Sequence, residues 1–274
     1  EEMFVSGAVE NKVPAEQAKA IFATVAKFAG YGFNKSHASA YGVISYQTAY
    51  LKANFPAEFL VACLNLDMDS SDKINIFLQE AKVFDIGVVS PDINQSKGIF
   101  SIDKIGDKKS IIFAIGAMKN VTPAFGTAVV DERKKHGDFK SIIDFAERMD
   151  PKLINKRLLV NVIKAGCFDK INPNRASLIT SVPKIMAYCA SYHTEQNSNQ
   201  FSLISVGKNS ADVLVDAKEY SIAESAYAEF EVMGLFLENH PFIEISKSLD
   251  KCGIKTSSYI KNDIEDGSHR LKLA

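Results

Sequence analysis

Apolar residues in the first third of the chain recur at intervals of three and four, which is the period of an amphipathic helix. Four such runs are present: Ile21, Phe22, Val25 and Phe28; Tyr41, Ile44, Thr48 and Leu51; Phe59, Leu60, Cys63 and Leu64; and Ile74, Phe77, Leu78 and Ala81. Pro14, Pro56 and Ser71 precede three of the runs, at positions that suit the start of a helix. The pattern predicts four helices whose apolar faces form a core.

The pattern changes after the turn-rich segment Ser90–Asn94. Two β-like runs, Gly98–Ile102 and Ser110–Ile115, predict a hairpin with a longish loop. Between Pro123 and about Ala190 we expect short helices broken by Gly126, Gly137, Pro151 and Gly166, and then a polar linker over residues 193–216. A last helix is predicted near residues 222–238. The predicted fold class is mainly α, with segment boundaries after residues 92, 192 and 216.

Charge is distributed unevenly, although the net charge of the whole chain is only -1. Residues 104–175 carry 15 Lys and Arg against eight Asp and Glu, whereas the segments on either side are each net acidic. A basic segment between acidic ones is typical of a surface that meets a polyanion. Random variation of surface charge is the alternative.

Other features limit the class of protein. No apolar run approaches the roughly 20 residues that a membrane span needs, and the start Glu1-Glu2-Met3 has neither feature of a signal peptide. The four cysteines are widely separated and form no C-x-x-C pair, which fits a reducing, cytoplasmic location. No metal motif or nucleophile–base constellation stands out. The two ends of the sequence lead us to expect a fragment of a larger protein.

The stretch GYGFNKSHA, residues 30–38, has the composition of an anion-binding loop. Its glycines permit unusual backbone conformations, and Ser36 is a candidate N-cap for the following helix. Lys35 and His37 would place positive charge at that helix's N-terminus, where the helix dipole already favours an anion. The alternative is a capped turn between two helices.

Several stretches resemble, in order, the bacterial replicative DNA polymerases of the C family. They are FAGYGFNKSHASAYGVISYQTAYLKANFPAEFLVACLN, DMDSSDKI, PDINQS, FAIGAMKNV, LINKRLLVNVIKAGCFD, NRASLI and EVMGLFLENHPF. The resemblance implies that residues 1–92 are the C-terminal part of the polymerase fingers. Within them, it assigns the triphosphate of the incoming nucleotide to Asn34, Lys35, Ser36 and His37. The catalytic carboxylates that hold Mg²⁺ in this family lie N-terminal to the matched region, so we expect no catalytic or metal-binding residue in this chain.

The same resemblance implies a tandem helix-hairpin-helix domain over residues 93–192, a module that binds duplex DNA without reading its sequence. The first hairpin matches Ile115–Pro123 and the second element matches Leu153–Asp169. The expected DNA-binding residues are Lys119, Arg133, Lys134, Lys156, Arg157 and Lys164. Where the family usually has Gly-Val-Gly, this sequence has Asn120-Val121-Thr122. Because a β-branched residue adopts left-handed backbone poorly, we expect a looser phosphate contact there.

The predicted linker contains a short apolar island, Gln200-Phe201-Ser202-Leu203-Ile204. It is similar to the extended peptides that bind bacterial sliding clamps, in which a glutamine amide and two apolar side chains enter a groove. The resemblance implies clamp binding by Gln200, Ser202, Leu203 and Ile204. Ile204 stands where phenylalanine is usual, and its smaller side chain would weaken the contact. Residues 217–274 would form a helix and the start of an oligonucleotide-binding (OB) domain.

The resemblance therefore implies a DNA-directed DNA polymerase, of which this fragment lacks the catalytic palm and would be inactive alone. Its implied partners are primer–template DNA, deoxynucleoside triphosphates, the sliding clamp (beta subunit) and other replicase subunits, with no membrane. Two alternatives remain open from the residues. One is the error-prone relative within the same family, and the other is a DNA-binding scaffold that never polymerised.

Overall fold

A computed structural model describes residues 1–30, 34–197 and 213–237, together with residues 240, 245 and 249. The chain divides into two compact units, Glu1–Phe55 and Pro56–Ala274. Helices dominate both units, and this confirms the predicted mainly α fold. None of the helices in the described ranges combines the length and the apolar character that a bilayer crossing requires. The predicted boundaries after residues 92, 192 and 216 stay predictions.

The described residues of the N-terminal unit form three helices. They are α1 (Glu2–Glu10), α2 (Ala15–Ala29) and α3 (Lys35–Asn54). Helix α1 packs against α2, with the rings of Phe4 and Phe22 at a centroid distance of 5.5 Å. Within the described part of this unit, Ala18 is the only buried residue.

The prediction that the apolar faces of α2 and α3 form a core is wrong for this unit. Val25 and Phe28 are 53% and 71% exposed, and Tyr41 and Leu51 are 56% and 47% exposed. The helices themselves form where the periodicity predicts them. Periodicity identifies the face of a helix that is apolar, but burial also requires a second surface to cover that face.

The C-terminal unit contains the remaining elements. Its helices are α4 (Pro56–Leu66), α5 (Ser71–Val83), α6 (Pro123–His136), α7 (Ile142–Arg148), α8 (Lys156–Lys164), α9 (Arg175–Asn197) and α10 (Ile222–Met233), and its strands are β1 (Gly87–Val89), β2 (Ser101–Ile105) and β3 (Lys108–Ile112). Short 3-10 turns lie at Ile115–Ala117 and Pro151–Leu153. Helix α10 ends earlier than predicted because Gly234 adopts left-handed backbone with φ 75°. Helix α9 includes residues 193–197, which the sequence assigned to the linker.

The strands form one sheet in the order β1-β3-β2. Strands β2 and β3 are antiparallel, and Ile105 pairs with Lys108, so a two-residue turn joins them. The predicted longish loop is therefore wrong, and Gly106 with φ 62° permits the tight turn. Strand β1 pairs with β3 in parallel, from Gly87 opposite Ser110 to Val89 opposite Ile112. The sequence did not predict this third strand.

One hydrophobic core joins the elements of the C-terminal unit. Apolar side chains from α4 to α10 and from the sheet contribute to it, including Leu60, Phe113, Phe125, Phe145, Leu159, Leu178 and Val232. Phe145 lies at its centre, with ring centroids 5.2 Å from Phe139 and 5.3 Å from Phe168. The predicted inward faces of α4 and α5 are confirmed by the burial of Leu60, Leu64, Ile74 and Leu78.

Three glycines bring backbone segments into direct contact at the start of α6. A Cβ atom on Gly126 would lie 2.8 Å from the backbone nitrogen of Gly98 and closer still to its Cα. A Cβ atom on Gly116 would lie 2.9 Å from the Cα of Pro123. Gly126 was predicted to break a helix, but it lies inside α6 and allows the close approach. This contact fixes where the segment between β3 and α6 leaves the core.

Candidate nucleic-acid interface

The predicted first hairpin, Ile115–Pro123, joins the sheet to α6. Asn120 adopts left-handed backbone with φ 60°, as a tight turn at this position requires. Thr122 has extended backbone, with φ -102° and ψ 152°, and its hydroxyl accepts a hydrogen bond from the Phe125 amide at 3.3 Å. The expected conflict at Thr122 does not arise, because the residue serves as the N-cap of α6.

Two other elements hold this hairpin. The Lys119 amide donates to the carbonyl oxygen of Val232 in α10 at 3.0 Å. The side-chain amide of Asn161 in α8 donates to the Lys119 carbonyl oxygen at 2.6 Å. The Lys119 side chain is exposed, while its backbone is fixed on both sides. The first hairpin, α8 and α10 therefore meet at one residue.

Helix α8 carries three of the predicted DNA-binding residues. Lys156 and Arg157 lie in its first turn and are exposed, beside Asn155, whose side chain caps the helix by accepting from the Leu158 amide at 3.0 Å. Lys164 lies at the other end and pairs with Glu231 of α10 at 2.7 Å. Its side chain is only 21% exposed. Lys156 and Arg157 are therefore open to solvent, whereas Lys164 is paired with a carboxylate.

Helix α6 carries the other two predicted cations. Arg133 donates to the carbonyl oxygens of Ile93 at 2.6 Å and Ser96 at 2.9 Å. Burial lowers the pKa of its guanidinium, although the negative charges of Asp138 and Asp92 act to raise it. Arg133 therefore braces the loop before β2 instead of facing solvent. Lys134 is exposed and forms a loose ion pair with Asp131 at 3.8 Å.

A buried arginine connects the second element to α10. The Arg175 guanidinium donates to Asp169 at 2.6 Å and to Glu229 at 2.8 Å, and also to the Lys164 carbonyl oxygen at 3.0 Å. Its side chain is 10% exposed and that of Glu229 is 9% exposed. Burial acts to lower the pKa of Arg175, but the two carboxylates raise it above the ordinary value. Helix α10 is thus fixed to the turn that follows α8.

The predicted nucleotide-binding residues lie at the start of α3, in the N-terminal unit. The N-cap is Asn34 and not Ser36: the Asn34 side-chain oxygen accepts from the Ser36 amide at 3.0 Å and from its hydroxyl at 2.6 Å. The His37 ring lies 4.4 Å from the ring of Tyr41. Lys35 is exposed.

Gln200, Ser202, Leu203 and Ile204 lie outside the described residues, so the clamp motif stays a prediction. Among the residues with described placement, no three His, Cys, Asp or Glu side chains are grouped to hold a metal ion. The described residues thus provide no fit for the Mg²⁺ that the resemblance implies for the larger enzyme.

The residues that hold the cations in place could not be recognised from the sequence. Asn161, Glu231 and Val232 each contact a predicted DNA-binding residue from a distant part of the chain. Glu231 stands 67 residues after Lys164, and no local pattern links the two. The acidic composition of the segment after residue 176 was the one signal available, and it does not identify a pair.

Comparison with known proteins supports both parts of the resemblance. A family model described as a helix-hairpin-helix motif matches residues 85–178. The match covers α6, α7, α8 and the start of α9, together with the sheet.

Proteins called DNA polymerase III subunit alpha are similar over most or all of the chain. The protein of Rickettsia bellii is 52% identical over 296 residues, covering 100% of this chain and 25% of its own length. Those of Caulobacter vibrioides and Vibrio cholerae are 40% and 37% identical and cover 87% and 91% of this chain. The chain spans about a quarter of the length of the curated relatives that it matches. The resemblance predicted from the sequence is confirmed.

Proposed function

We propose that this chain is a segment of a bacterial DNA polymerase III alpha subunit, and that its helix-hairpin-helix region holds duplex DNA during template-directed synthesis. The observation that carries the proposal is the set of exposed cations on and beside the first hairpin and α8. They are Lys119, Lys134, Lys156 and Arg157. The excess of basic residues between 104 and 175 adds a favourable long-range field.

The chemistry of this surface suits phosphates and not bases. Lysine and arginine side chains on short turns and helix ends neutralise backbone phosphates and release counterions, which carries no sequence information. The left-handed Asn120 and the capped start of α6 form a tight turn whose amides lie at a helix N-terminus. Such a turn can approach a phosphate closely, and Lys119 adds charge beside it.

Two further roles belong to the same proposal. The loop at the start of α3 would bind the triphosphate of an incoming nucleotide through Lys35 and His37, with Asn34 and Ser36 holding the turn. Residues 200–204 would bind the sliding clamp. Nucleotidyl transfer itself would need Mg²⁺ and carboxylates elsewhere in the polymerase, and we assign no catalytic step to this chain.

Duplex binding by this chain should be independent of DNA sequence, and its affinity should fall steeply as the salt concentration rises. With about four phosphate contacts, the logarithm of the binding constant should fall by roughly 3–4 for each tenfold increase in salt. The double variant Lys119→Gln/Lys156→Gln should bind more weakly and reduce that slope by about 2. Fluorescence anisotropy with two unrelated duplexes of equal length, titrated over a series of salt concentrations, measures both quantities.

The matched control is Lys82→Gln/Lys218→Gln, which removes the same charge from exposed positions outside residues 115–123 and 153–169. It should leave the slope unchanged. A strong preference for one duplex, or equal losses in both double variants, would contradict the proposal.

The loop at the start of α3 can be tested in the full-length polymerase. Lys35→Ala and His37→Ala should each raise the apparent KM for nucleotides on the order of tenfold, because each removes a charged contact to phosphate. Steady-state primer extension with varied nucleotide concentration measures this. Lys27→Ala, an exposed lysine in the same unit, should leave KM unchanged. Unchanged kinetics in both loop variants would remove the loop from the nucleotide site.

A further inference from the structure

Helix α10 contacts the helix-hairpin-helix region at three points. The Val232 carbonyl oxygen accepts from the Lys119 amide at 3.0 Å, which places the end of α10 at the first hairpin. Glu229 pairs with Arg175 at 2.8 Å, and Glu231 pairs with Lys164 at 2.7 Å. An acidic helix thus lies where the first hairpin and α8 converge.

The two carboxylates of α10 differ in how they are held. Glu229 is 9% exposed and faces an arginine that is 10% exposed, so this pair is an internal part of the fold. The Glu231 side chain is 67% exposed, and it meets Lys164 at the protein surface. Exposed ion pairs are weak, because water and salt screen them. The Glu231 side chain can therefore turn into solvent while Glu229 keeps the helix in place.

We propose that Glu231 is an internal competitor for DNA, which occupies Lys164 until a phosphate of the duplex displaces it. The inference rests on the proposed function, since it requires that this surface binds duplex DNA. In the free chain Lys164 is neutralised, and the surface presents one cation fewer than its sequence suggests. When a phosphate arrives, the Glu231 carboxylate must leave, so its charge opposes binding directly. Helix α10 then limits how tightly the hairpins hold DNA, and any partner that draws Glu231 away strengthens the grip.

Removing the negative charge of Glu231 should strengthen duplex binding. Glu231→Gln frees Lys164, and we expect a threefold to tenfold gain in affinity at low salt. Because Lys164 contacts a phosphate in both complexes once DNA is bound, the salt slope should stay nearly unchanged. Lys164→Gln alone should change affinity less than twofold, and in the Glu231→Gln background it should remove the gain. Anisotropy with a fixed duplex measures all four proteins, and circular dichroism checks that each is folded.

The control is Glu219→Gln, which changes the net charge equally at an exposed position shortly before α10. A gain limited to Glu231→Gln and cancelled by Lys164→Gln supports the inference. The inference is overturned if the wild type binds DNA and Glu231→Gln does not change its affinity, or if Glu219→Gln gives the same gain. In both cases the proposed function still stands. An absence of binding in every variant overturns the proposed function, and this inference with it. If only Glu231→Gln binds DNA, the inference is supported in its strongest form, because Glu231 then prevents binding by the wild type.

Discussion

Replacing Arg175 by methionine is expected to lower the free energy of unfolding of the C-terminal unit by about 3–5 kcal/mol, because it leaves buried charge without a partner. Arg175 meets the carboxylates of Asp169 and Glu229, and the Glu229 side chain is 9% exposed. The guanidinium also donates to the Lys164 carbonyl oxygen at 3.0 Å, which the methionine would leave without that donor. Methionine retains much of the apolar stem, so lost packing contributes little to the effect.

Urea unfolding followed by circular dichroism measures this loss. The matched control is Arg157→Met, which removes the same side chain from an exposed position in α8 and should cost less than about 0.5 kcal/mol. A second variant, Arg175→Met/Glu229→Met, removes both charges of the most buried pair and should recover part of the loss. A cost below about 1 kcal/mol for Arg175→Met would show that this arginine does not hold α10 to the second element.

The substitution Gly126→Ala should cost about 3 kcal/mol, at the upper end of the range for overpacked positions. The added methyl group would meet the backbone of Gly98, and a backbone cannot rotate aside as a flexible side chain can. Ordinarily, alanine in place of glycine stabilises a helix by about 0.5–1 kcal/mol, so the expected sign is the reverse of the usual one. Thermal and urea unfolding both report the change.

A glycine in a helix with free space around it provides the comparison. Gly42 lies within α3, where a Cβ atom would meet nothing within 4 Å, so Gly42→Ala should be neutral or stabilising. Since Gly42 belongs to the N-terminal unit, Thr127→Ala serves as a neighbour control within α6, at an exposed position. If Gly126→Ala were as harmless as these two, the close contact with Gly98 would not constrain the hairpin.

Local signals in the sequence were sufficient to predict most helices. Apolar periodicity located α2 to α5, and Pro123 located the start of α6. Strand β1 was missed because it is three residues long and pairs in parallel with a strand 23 positions further along the chain. A strand that short gives too few positions for an alternating pattern.

The same distinction holds for the candidate site. Charge distribution and motif similarity pointed to Lys119, Lys156 and Arg157, which are exposed. Sequence did not predict that Arg133 is engaged by carbonyl groups about 40 residues earlier, or that Lys164 is paired with Glu231. A cation is visible in a sequence, but its availability depends on partners brought close only by the fold. Asn34 caps α3 in place of the predicted Ser36; both residue types are good N-caps, and the two positions are only two residues apart.

The bond between the Lys119 amide and the Val232 carbonyl oxygen has a consequence for synthesis on the ribosome. The hairpin residue emerges more than a hundred residues before its partner. Long-range contacts of this kind form late, because the intervening chain must first be made and ordered. The nascent chain can therefore bury the cluster around Phe145 and form α6 to α9 while the hairpin still lacks its last support. The surface proposed to grip DNA is completed near the end of translation of this segment, after the core beneath it is already in place.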